Sequence, residues 1–234
     1  MEKDPSAVLV TGACGNLGRA VVAAFASRGR KLALLDRDVA QLDAAFGTDD
    51  ANRMTLACDL LDAASVEAAV RRAADILGPI GVLCNVAGGF RMGEPVHGTS
   101  DATWDFLMNL NVRSVLHTAR AVVPGMIAAG CGAIINIGAA AAARGSANMG
   151  AYSASKSALA RLTESMSAEL REKGINVNCV LPTIIDTPEN RKDMPKADPS
   201  RWVAPSDLAE VIAFLASPAA RAIHGASVPV SGLS

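Results

Sequence analysis

Short apolar runs alternate along this chain with longer segments in which apolar residues recur every three or four positions. The short runs predict seven β-strands, at residues 7–11, 31–36, 53–59, 81–87, 132–137, 176–181 and 226–230. The longer segments predict six helices, at residues 17–28, 39–46, 63–77, 101–129, 151–173 and 206–216. Alternation of this kind predicts an α/β fold, a doubly wound parallel sheet of about seven strands with helices on both faces.

The length of 234 residues suits one sizeable hydrophobic core, and half of the residues are hydrophobic. We therefore predict a single domain over residues 1–234. One long stretch, at about residues 183–205, fits neither pattern and is rich in proline and charge. Loops of this length in compact domains usually cover a site, so we predict a substrate lid there.

A glycine-rich turn, TGACGNLG at residues 11–18, separates the first strand from the first helix. Such a turn lets the backbone approach a pyrophosphate, whose charge is held by free N–H groups at the helix N-terminus. An acidic residue, Asp36, ends the next strand, about 20 residues further on. We predict a Rossmann-type dinucleotide site that includes Gly12, Gly15, Asn16, Leu17 and Gly18.

The carboxylate of Asp36 can accept hydrogen bonds from ribose hydroxyls and would repel a 2′-phosphate. We therefore predict that NAD(H) is preferred, with NADP(H) as the alternative because Arg37 follows immediately. The simpler interpretation of Asp36, as a turn residue at a strand end, has less support because both halves of the motif are present.

Further residues stand at the ends of the third and fourth predicted strands. Ligands of open parallel sheets bind at the carboxyl ends of the strands. We therefore expect cofactor contacts from Asp59, Leu60, Asn85, Ala87 and Gly88.

Tyr152 and Lys156 are four residues apart in a predicted helix and so share one helix face. A lysine ammonium and a cationic nicotinamide ring beside a phenol would lower the pKa of the phenol toward neutrality. Tyr152 is thus a candidate acid/base. The alternative is an exposed helical pair, since this spacing is common by chance.

The order and spacing of these motifs resemble the short-chain dehydrogenase/reductase family over nearly the whole chain. The resemblance rests on the following segments: TGACGNLG at 11–18, Asp36, CDL at 58–60, NVAG at 85–88, Asn111 in WDFLMNLNVRS, YSASK at 152–156 and LPTIIDTP at 181–188.

The resemblance implies hydride transfer to or from NAD(P) and a small-molecule substrate. It implies that Tyr152 is the acid/base, that Lys156 binds the nicotinamide ribose and tunes Tyr152, and that Asn111 supports a proton-relay water. Further cofactor contacts are implied after the sixth strand, at Pro182, Ile185 and Thr187.

Three positions depart from the family's pattern. Asn16 replaces the middle glycine, and asparagine tolerates the left-handed region better than most residues. Val86 replaces the second asparagine of the usual NNAG motif. The largest departure is Ala139, which stands where the family has its catalytic serine, thirteen residues before Tyr152, and is followed by four more alanines.

Losing a preorganised donor such as that serine costs roughly 3–4 kcal/mol of barrier. Two interpretations follow: an inactive relative that only binds or senses nucleotide, or an enzyme whose acceptor needs no such donor. The second is favoured by a resemblance to the dihydropteridine reductases of the same family, in CNVAGGF at 84–90, the GAAAAA run and DTPENRKDMPKADPSRW at 186–202. These reductases pass hydride from NADH to a quinonoid dihydropterin.

Four residues are candidate substrate contacts: Ala139, Phe90, Arg191 and Trp202. The two aromatic rings are candidates for stacking on a flat substrate. Arg191 either contacts substrate, closes over the pyrophosphate, or is a solvated loop charge.

A net charge of −1 argues against nucleic-acid and membrane-surface partners, which favour basic clusters. The five cysteines are scattered and lack a CxxC pair, which predicts free thiols in a cytoplasmic protein. The three histidines have no ligand spacing, so we expect no metal site. The family resemblance suggests a homo-oligomer, either a dimer or a tetramer, built on helices 101–129 and 151–173.

Overall fold

The computed structural model of this chain describes residues 6–233. The strands in this range are β1 Ala7–Thr11, β2 Leu32–Asp36, β3 Arg53–Ala57, β4 Ile80–Asn85, β5 Gly132–Ile137, β6 Ile175–Pro182 and β7 Ser227–Val230. The helices are α1 Asn16–Ala26, α2 Val39–Phe46, α3 Ala63–Leu77, α4 Asp101–Met108, α5 Ser114–Ala129, α6 Gly150–Leu170, α7 Pro188–Asp193 and α8 Pro205–Leu215.

All seven strands form one parallel sheet in the order β3-β2-β1-β4-β5-β6-β7. The chain runs outward from β1 to β3 and then returns to the other side of β1 with β4. The carboxyl ends of β1 and β4 therefore lie side by side at the point where the strand order reverses, which is where ligands bind in such sheets. The predicted α/β class and doubly wound sheet are confirmed.

Both faces of the sheet are covered because successive side chains of each strand point to opposite faces. On β1, Val8 and Val10 join a buried cluster with α1 and α8. Leu9, between them, joins a second cluster with α3 and α5. Strands buried on both faces are continuous apolar runs, and this explains why the sequence shows no alternation within them.

The predicted helix 101–129 is not continuous. A π-helical turn at Asn109–Arg113 separates α4 from α5. Such a turn inserts an extra residue into the helical ladder, and π turns are frequent at functional sites. Here the turn carries Asn111 into the protein interior, where 1% of its surface is exposed. Periodicity alone cannot locate a π turn, because the residues on either side of it keep the helical pattern.

The 183–205 segment, predicted to be irregular, contains α7 and a short 3-10 turn at Pro199–Arg201. The hydroxyl of Thr187 caps α7 by accepting a hydrogen bond from the Asn190 backbone N–H, at 3.2 Å. The backbone of Val203 pairs with Ile184 and Asp186, through bonds of 2.9 and 2.8 Å. Residues of this segment are therefore hydrogen-bonded to one another, and the segment follows directly after the end of β6.

Within residues 6–233, no helix is long and apolar enough to cross a membrane. In the same range, no group of three or more His, Cys, Asp or Glu side chains is arranged to hold a metal ion. The five cysteines are free thiols, and four of them are buried.

A chain of four buried polar side chains crosses the middle of the sheet. Thr118 Oγ1 donates to Asn85 Oδ1 at 2.8 Å, and Asn85 Nδ2 donates to Asn136 Oδ1 at 2.9 Å. Asn136 Nδ2 donates to Thr163 Oγ1 at 2.9 Å. Both ends of the Asn85 amide are thus occupied by protein groups. The Asn85 side chain therefore supports the sheet beneath the predicted site, and a cofactor contact by this residue stays a prediction.

We predict that Asn136→Ala destabilises the protein by about 2–4 kcal/mol, because it leaves buried groups of Asn85 and Thr163 without their partner. Urea unfolding of the variant measures this. Asn52→Ala, at an exposed position, is the matched control and should change the free energy of unfolding by less than about 0.5 kcal/mol. Equal stability of the two variants would show that the polar chain contributes little.

Candidate active site

The glycine-rich turn lies against the end of β4. Gly12 has φ +64°, and a Cβ there would come within 2.8 Å of the Ala87 Cα. A Cβ on Gly18 would collide with the carbonyl oxygen of Gly12. The Thr11 hydroxyl accepts hydrogen bonds from the Val86 and Ala87 N–H groups, at 3.1 and 3.2 Å. The first and third glycines of the motif are therefore required by close packing, and the packing joins the loop to β4.

Asn16 does not adopt the left-handed conformation that its sequence suggested. It is the first residue of α1, and within residues 6–233 the non-glycine residue with positive φ is Asn148. Asn16 therefore needs no special backbone tolerance. Its side chain instead donates from Nδ2 to Glu189 Oε2 on α7, at 2.8 Å.

The N-terminus of α1 is suited to an anion. Gly15 precedes the helix without a side-chain cap, and no acidic residue lies in the first turn. The helices α2, α3 and α4 begin instead with side-chain caps, from Asp38, Asp62 and Ser100. Uncapped N–H groups at the positive end of a helix dipole bind phosphate well. The donors of this loop thus fit the pyrophosphate of a dinucleotide.

The carboxylate of Asp36 is fixed beside the glycine-rich turn. Its Oδ2 accepts from the Cys14 N–H at 2.9 Å, and its Oδ1 accepts from the Arg37 N–H at 2.8 Å. Burial, reinforced by the charge of Asp36, raises the pKa of the Cys14 thiol to about 11. The side chain of Arg37 is exposed. A fixed negative charge at this position disfavours a second negative group on the adenosine ribose.

Asp59 and Leu60 follow β3 on the same edge of the sheet. Asp59 Oδ1 accepts from the Leu61 N–H at 2.9 Å, and its own N–H donates to Ser65 Oγ at 3.2 Å. Leu60 is buried, and its carbonyl oxygen lies 2.9 Å from His117 Nδ1. The structure therefore places this pair on the predicted rim, with the Asp59 side chain partly used in a local turn.

Lys156 and Asn111 converge on Gly88. Lys156 Nζ donates to the Ile137 carbonyl at 2.8 Å, and the side chain is buried. A Cβ on Gly88 would lie 3.1 Å from Asn111 Oδ1 and 3.3 Å from Lys156 Nζ. A glycine at residue 88 therefore leaves room for both groups. Tyr152 is the third residue of α6, one helical turn before Lys156.

Burial shifts both members of the Tyr152–Lys156 pair away from their charged forms. It raises the pKa of Tyr152 to about 12 and lowers that of Lys156 from 10.5 to about 8. The expected fall of the Tyr152 pKa toward neutrality is therefore not produced by the chain's own groups. Desolvation is the cause at Tyr152, because the phenol is mostly buried.

Asn111 is held by three hydrogen bonds. Its Oδ1 accepts from the Gly89 N–H at 2.8 Å, and its Nδ2 donates to the Gly89 carbonyl and to Ser155 Oγ, each at 3.0 Å. Ser155 in turn donates to the Tyr152 carbonyl at 2.8 Å. Sequence reasoning did not single out Ser155. The available signal was a small polar residue one position before Lys156, on the face of α6 that is buried.

Ala139 is extended and buried, and it begins a short 3-10 turn at Ala140–Ala142. The turn is fastened to α6, since Ser157 Oγ donates to the Ala142 carbonyl at 2.9 Å. The preceding Gly138 is packed tightly, because a Cβ there would lie 2.7 Å from Cys179 Sγ. Ala139 thus occupies a well-defined position that carries a methyl group and no hydroxyl.

The predicted substrate contacts separate into two groups. Phe90 packs edge-on against Tyr152, with ring centroids 4.8 Å apart, and is 55% exposed. Trp202, by contrast, is only 7% exposed. Arg191 forms two hydrogen bonds with Asp186, at 2.6 and 2.7 Å. Trp202 is therefore packed in the protein, and Arg191 is an exposed side chain paired with Asp186. A substrate contact by either residue stays a prediction.

The three predicted contacts Pro182, Ile185 and Thr187 lie at and just beyond the carboxyl end of β6. Pro182 is the last residue of β6 and pairs with Val230. Ile185 forms a β-bridge to Val203. Thr187 is the cap of α7, so its hydroxyl is directed at that helix.

This chain matches proteins of one family in sequence. A family model described as short chain dehydrogenase matches residues 6–198. D-threitol dehydrogenase of Mycolicibacterium smegmatis is 34% identical over 241 residues, which cover 98% of this chain and 92% of the relative. A protein named inactive 2-(S)-hydroxypropyl-CoM dehydrogenase 2, from Xanthobacter autotrophicus, is 35% identical over 218 residues, which cover 87% of this chain and 94% of the relative.

Solved structures agree in fold. NAD+-bound xylitol dehydrogenase has a TM-score of 0.89 at 26% identity, covering 99% of this chain and 100% of its own. An NADPH-bound short chain oxidoreductase from Pseudomonas aeruginosa, described as containing an atypical catalytic center, has a TM-score of 0.89 at 27% identity. That comparison covers 97% of this chain and 95% of the other.

We predict that Lys156→Met stabilises the protein at pH 7 by roughly 1–3 kcal/mol, since it removes the cost of burying an ammonium. The folded chain binds the Lys156 proton more weakly than the unfolded chain. Between pH 8 and 10.5 the unfolded wild-type chain therefore binds more protons than the folded chain. The free energy of unfolding of the wild type thus rises with pH, relative to that of the variant, across this window. The advantage of the variant should shrink across this window.

Urea unfolding at several pH values measures the difference between wild type and Lys156→Met. Lys173→Met, at an exposed lysine, is the control and should show a small difference at every pH. A constant difference between wild type and Lys156→Met from pH 7 to 10.5 would contradict the depressed pKa.

Proposed function

Because the chain belongs to the short-chain dehydrogenase/reductase family and is an NAD(P)-dependent oxidoreductase of that type, we propose that it passes hydride from NADH to an activated acceptor. The observation that carries this proposal is that hydrogen bonds link Asn111 through Ser155 to Tyr152, and Lys156 to the Ile137 carbonyl, two residues before Ala139, which carries no hydroxyl donor. A quinonoid dihydropterin is the acceptor that we propose to test first.

The roles of the protein groups follow from their positions. The nicotinamide cofactor supplies or takes up the hydride when it is bound. Tyr152 gives a proton to the acceptor, and its high pKa makes the neutral phenol the resting form. Lys156 and Asn111 hold the rim of the cleft at Gly88 and Gly89, where the ribose and a relay water would be bound.

Ala139 is the reason for proposing an activated acceptor. A simple ketone develops negative charge on oxygen as hydride arrives, and a fixed donor lowers that barrier. An electron-poor imine-like system spreads the charge over its own atoms and needs less help. Phe90, exposed beside Tyr152, offers a ring against which a flat acceptor can pack.

The resemblance to dihydropteridine reductases is not supported by the relatives described above. Two of these are named as dehydrogenases of D-threitol and of xylitol, and the third is named as an inactive 2-(S)-hydroxypropyl-CoM dehydrogenase. The pterin is therefore proposed on the local segments and on Ala139, and polyols belong in the same test.

For the cofactor we propose NAD(H) over NADP(H). The support is the fixed carboxylate of Asp36 beside the glycine-rich turn. Similar structures hold either NAD+ or NADPH, so they support a nicotinamide cofactor without deciding between the two.

We further propose that the chain is a single domain whose 183–205 segment is a substrate lid, and that it works in the cytoplasm as a dimer or tetramer. Free thiols suit a reducing compartment. Leu116 and Ile127 on α5, each 40% exposed, are consistent with a subunit contact along that helix.

A second candidate is a nucleotide-binding sensor with little or no catalysis. Ala139 favours it, and so does a relative whose name states that it is inactive. Against it stand Tyr152, Lys156 and Asn111, since a sensor requires none of their acid/base chemistry.

The test measures oxidation of NADH and of NADPH with quinonoid dihydropterin, quinones and reactive carbonyls, and the reverse reaction with polyols. We expect NADH-dependent turnover, and a loss of at least about 100-fold in kcat in Tyr152→Phe, since general acid catalysis contributes that much. NADH binding, followed by fluorescence, should persist in that variant. Binding without turnover on any acceptor would favour the sensor, and normal turnover by Tyr152→Phe would exclude its acid/base role.

We also predict that Ala139→Ser raises the rate with simple ketones about 10- to 100-fold, because it restores a donor. The rate with the activated acceptor should change by less than about threefold if that acceptor does not use the donor. Ala140→Ser, at the exposed neighbour, is the matched control and should alter neither rate. Equal gains on both classes of acceptor would contradict the argument from Ala139.

A further inference from the structure

A hydrogen bond joins the glycine-rich turn to the 183–205 segment. Asn16 Nδ2, on the first residue of α1, donates to Glu189 Oε2, on the second residue of α7, at 2.8 Å. The two residues are 173 positions apart. The bond therefore links the predicted phosphate-binding end of the cleft directly to the segment that faces it.

The helix that carries Glu189 is well fixed at its start. Thr187 caps it, and Asn190 Nδ2 donates to the Ile185 carbonyl at 2.8 Å. Ile185 in turn bridges to Val203. Glu189 thus projects from a fastened helical turn, so an added contact at its carboxylate restrains α7 as a whole.

The chemistry of the pair suits a reversible contact. The pKa of Glu189 is lowered by hydrogen bonds from its own backbone, from Thr187 and from Asn16, so the side chain is a carboxylate at neutral pH. An amide that donates to a carboxylate forms a charge-assisted bond. Both side chains are exposed, so water competes for the bond and keeps it breakable.

The pair also gives a role to Asn16, the residue that replaces the family's middle glycine. Asn16 is helical and needs no positive φ, so its side chain is not explained by the turn. A glycine at this position would have no group to offer to α7. The side chain is therefore an addition to the loop whose observed partner is Glu189.

We propose that Asn16 and Glu189 form a latch that holds α7 across the cofactor cleft and slows dissociation of the bound dinucleotide. This inference rests on the proposed function, because it requires that NADH binds at the glycine-rich turn. The two residues are positioning residues: they act on how long the cofactor stays, through the placement of α7.

The test measures the dissociation rate of NADH by stopped-flow fluorescence, with excess NAD+ as the displacing ligand. We expect Glu189→Ala and Asn16→Ala each to raise the rate about three- to tenfold, the effect of one exposed charged hydrogen bond. Glu189→Gln keeps an acceptor oxygen and should stay within about threefold of wild type. The double variant Asn16→Ala/Glu189→Ala should release NADH no faster than the quicker single variant, because the two changes remove the same bond.

Asp193→Ala, which removes an exposed acid at the other end of α7, is the control and should leave the dissociation rate unchanged. An unchanged or slower rate in Glu189→Ala overturns the latch, and so does a double variant whose effect is the product of the two single effects. If these variants behave like wild type while wild type binds NADH, the latch alone fails. If wild type does not bind NADH, the proposed function fails with it.

Discussion

The contact between the ends of β1 and β4 is the constraint on which the rest of the site depends. A side chain at residue 12 would overlap the backbone of Ala87, and the hydroxyl of Thr11 bonds the N–H groups that follow β4. This contact sets the glycine-rich turn directly beside residues 87–89. Because Gly88 and Gly89 are in turn bounded by Lys156 and Asn111, one close approach of backbones fixes the distance between the phosphate end and the chemical end of the cleft.

Burial of Lys156 and Tyr152 opposes the charged forms of two titratable side chains in the predicted site, and at Lys156 this lowers the stability of the fold at neutral pH. Removing an ammonium and a phenol from water disfavours their charged forms, and the shifted pKa values record that cost. The ammonium of Lys156 donates to the Ile137 carbonyl at the end of β5, and the buried polar side chains of Asn136 and Asn85 lie on β5 and on the adjacent β4. Polar groups are thus concentrated at the centre of the sheet, where burial is costly unless they are hydrogen-bonded to one another.

The sequence allowed the strands and most helices to be predicted, because the period of apolar residues is a property of each segment alone. The predicted helices at 39–46 and 63–77 have the same first and last residues as α2 and α3 in the structure. The π turn at Asn109–Arg113 was not predictable from local periodicity, and the contact that Asn111 makes there, to the backbone of Gly89, lies 22 positions away in the chain. The same holds for Arg191 and Trp202, whose side chains are engaged by neighbours that no local pattern reveals. Motif spacing located the site, but only packing decided which of its polar side chains remain open to a ligand.

What the missing hydroxyl at Ala139 implies for the acceptor depends on how residue 139 is packed. In a loose loop, a missing hydroxyl could be replaced by a neighbouring residue or by movement of the chain. Here Gly138 is wedged against Cys179, and the following turn is bonded to α6 through Ser157, so the backbone at residue 139 is held in place. The position is therefore held by its neighbours and carries a methyl group in place of a hydroxyl. If Tyr152 is the acid/base as proposed, a fixed methyl group at residue 139 favours an acceptor that disperses charge over a flat, electron-poor ring system over one that localises charge on a single oxygen.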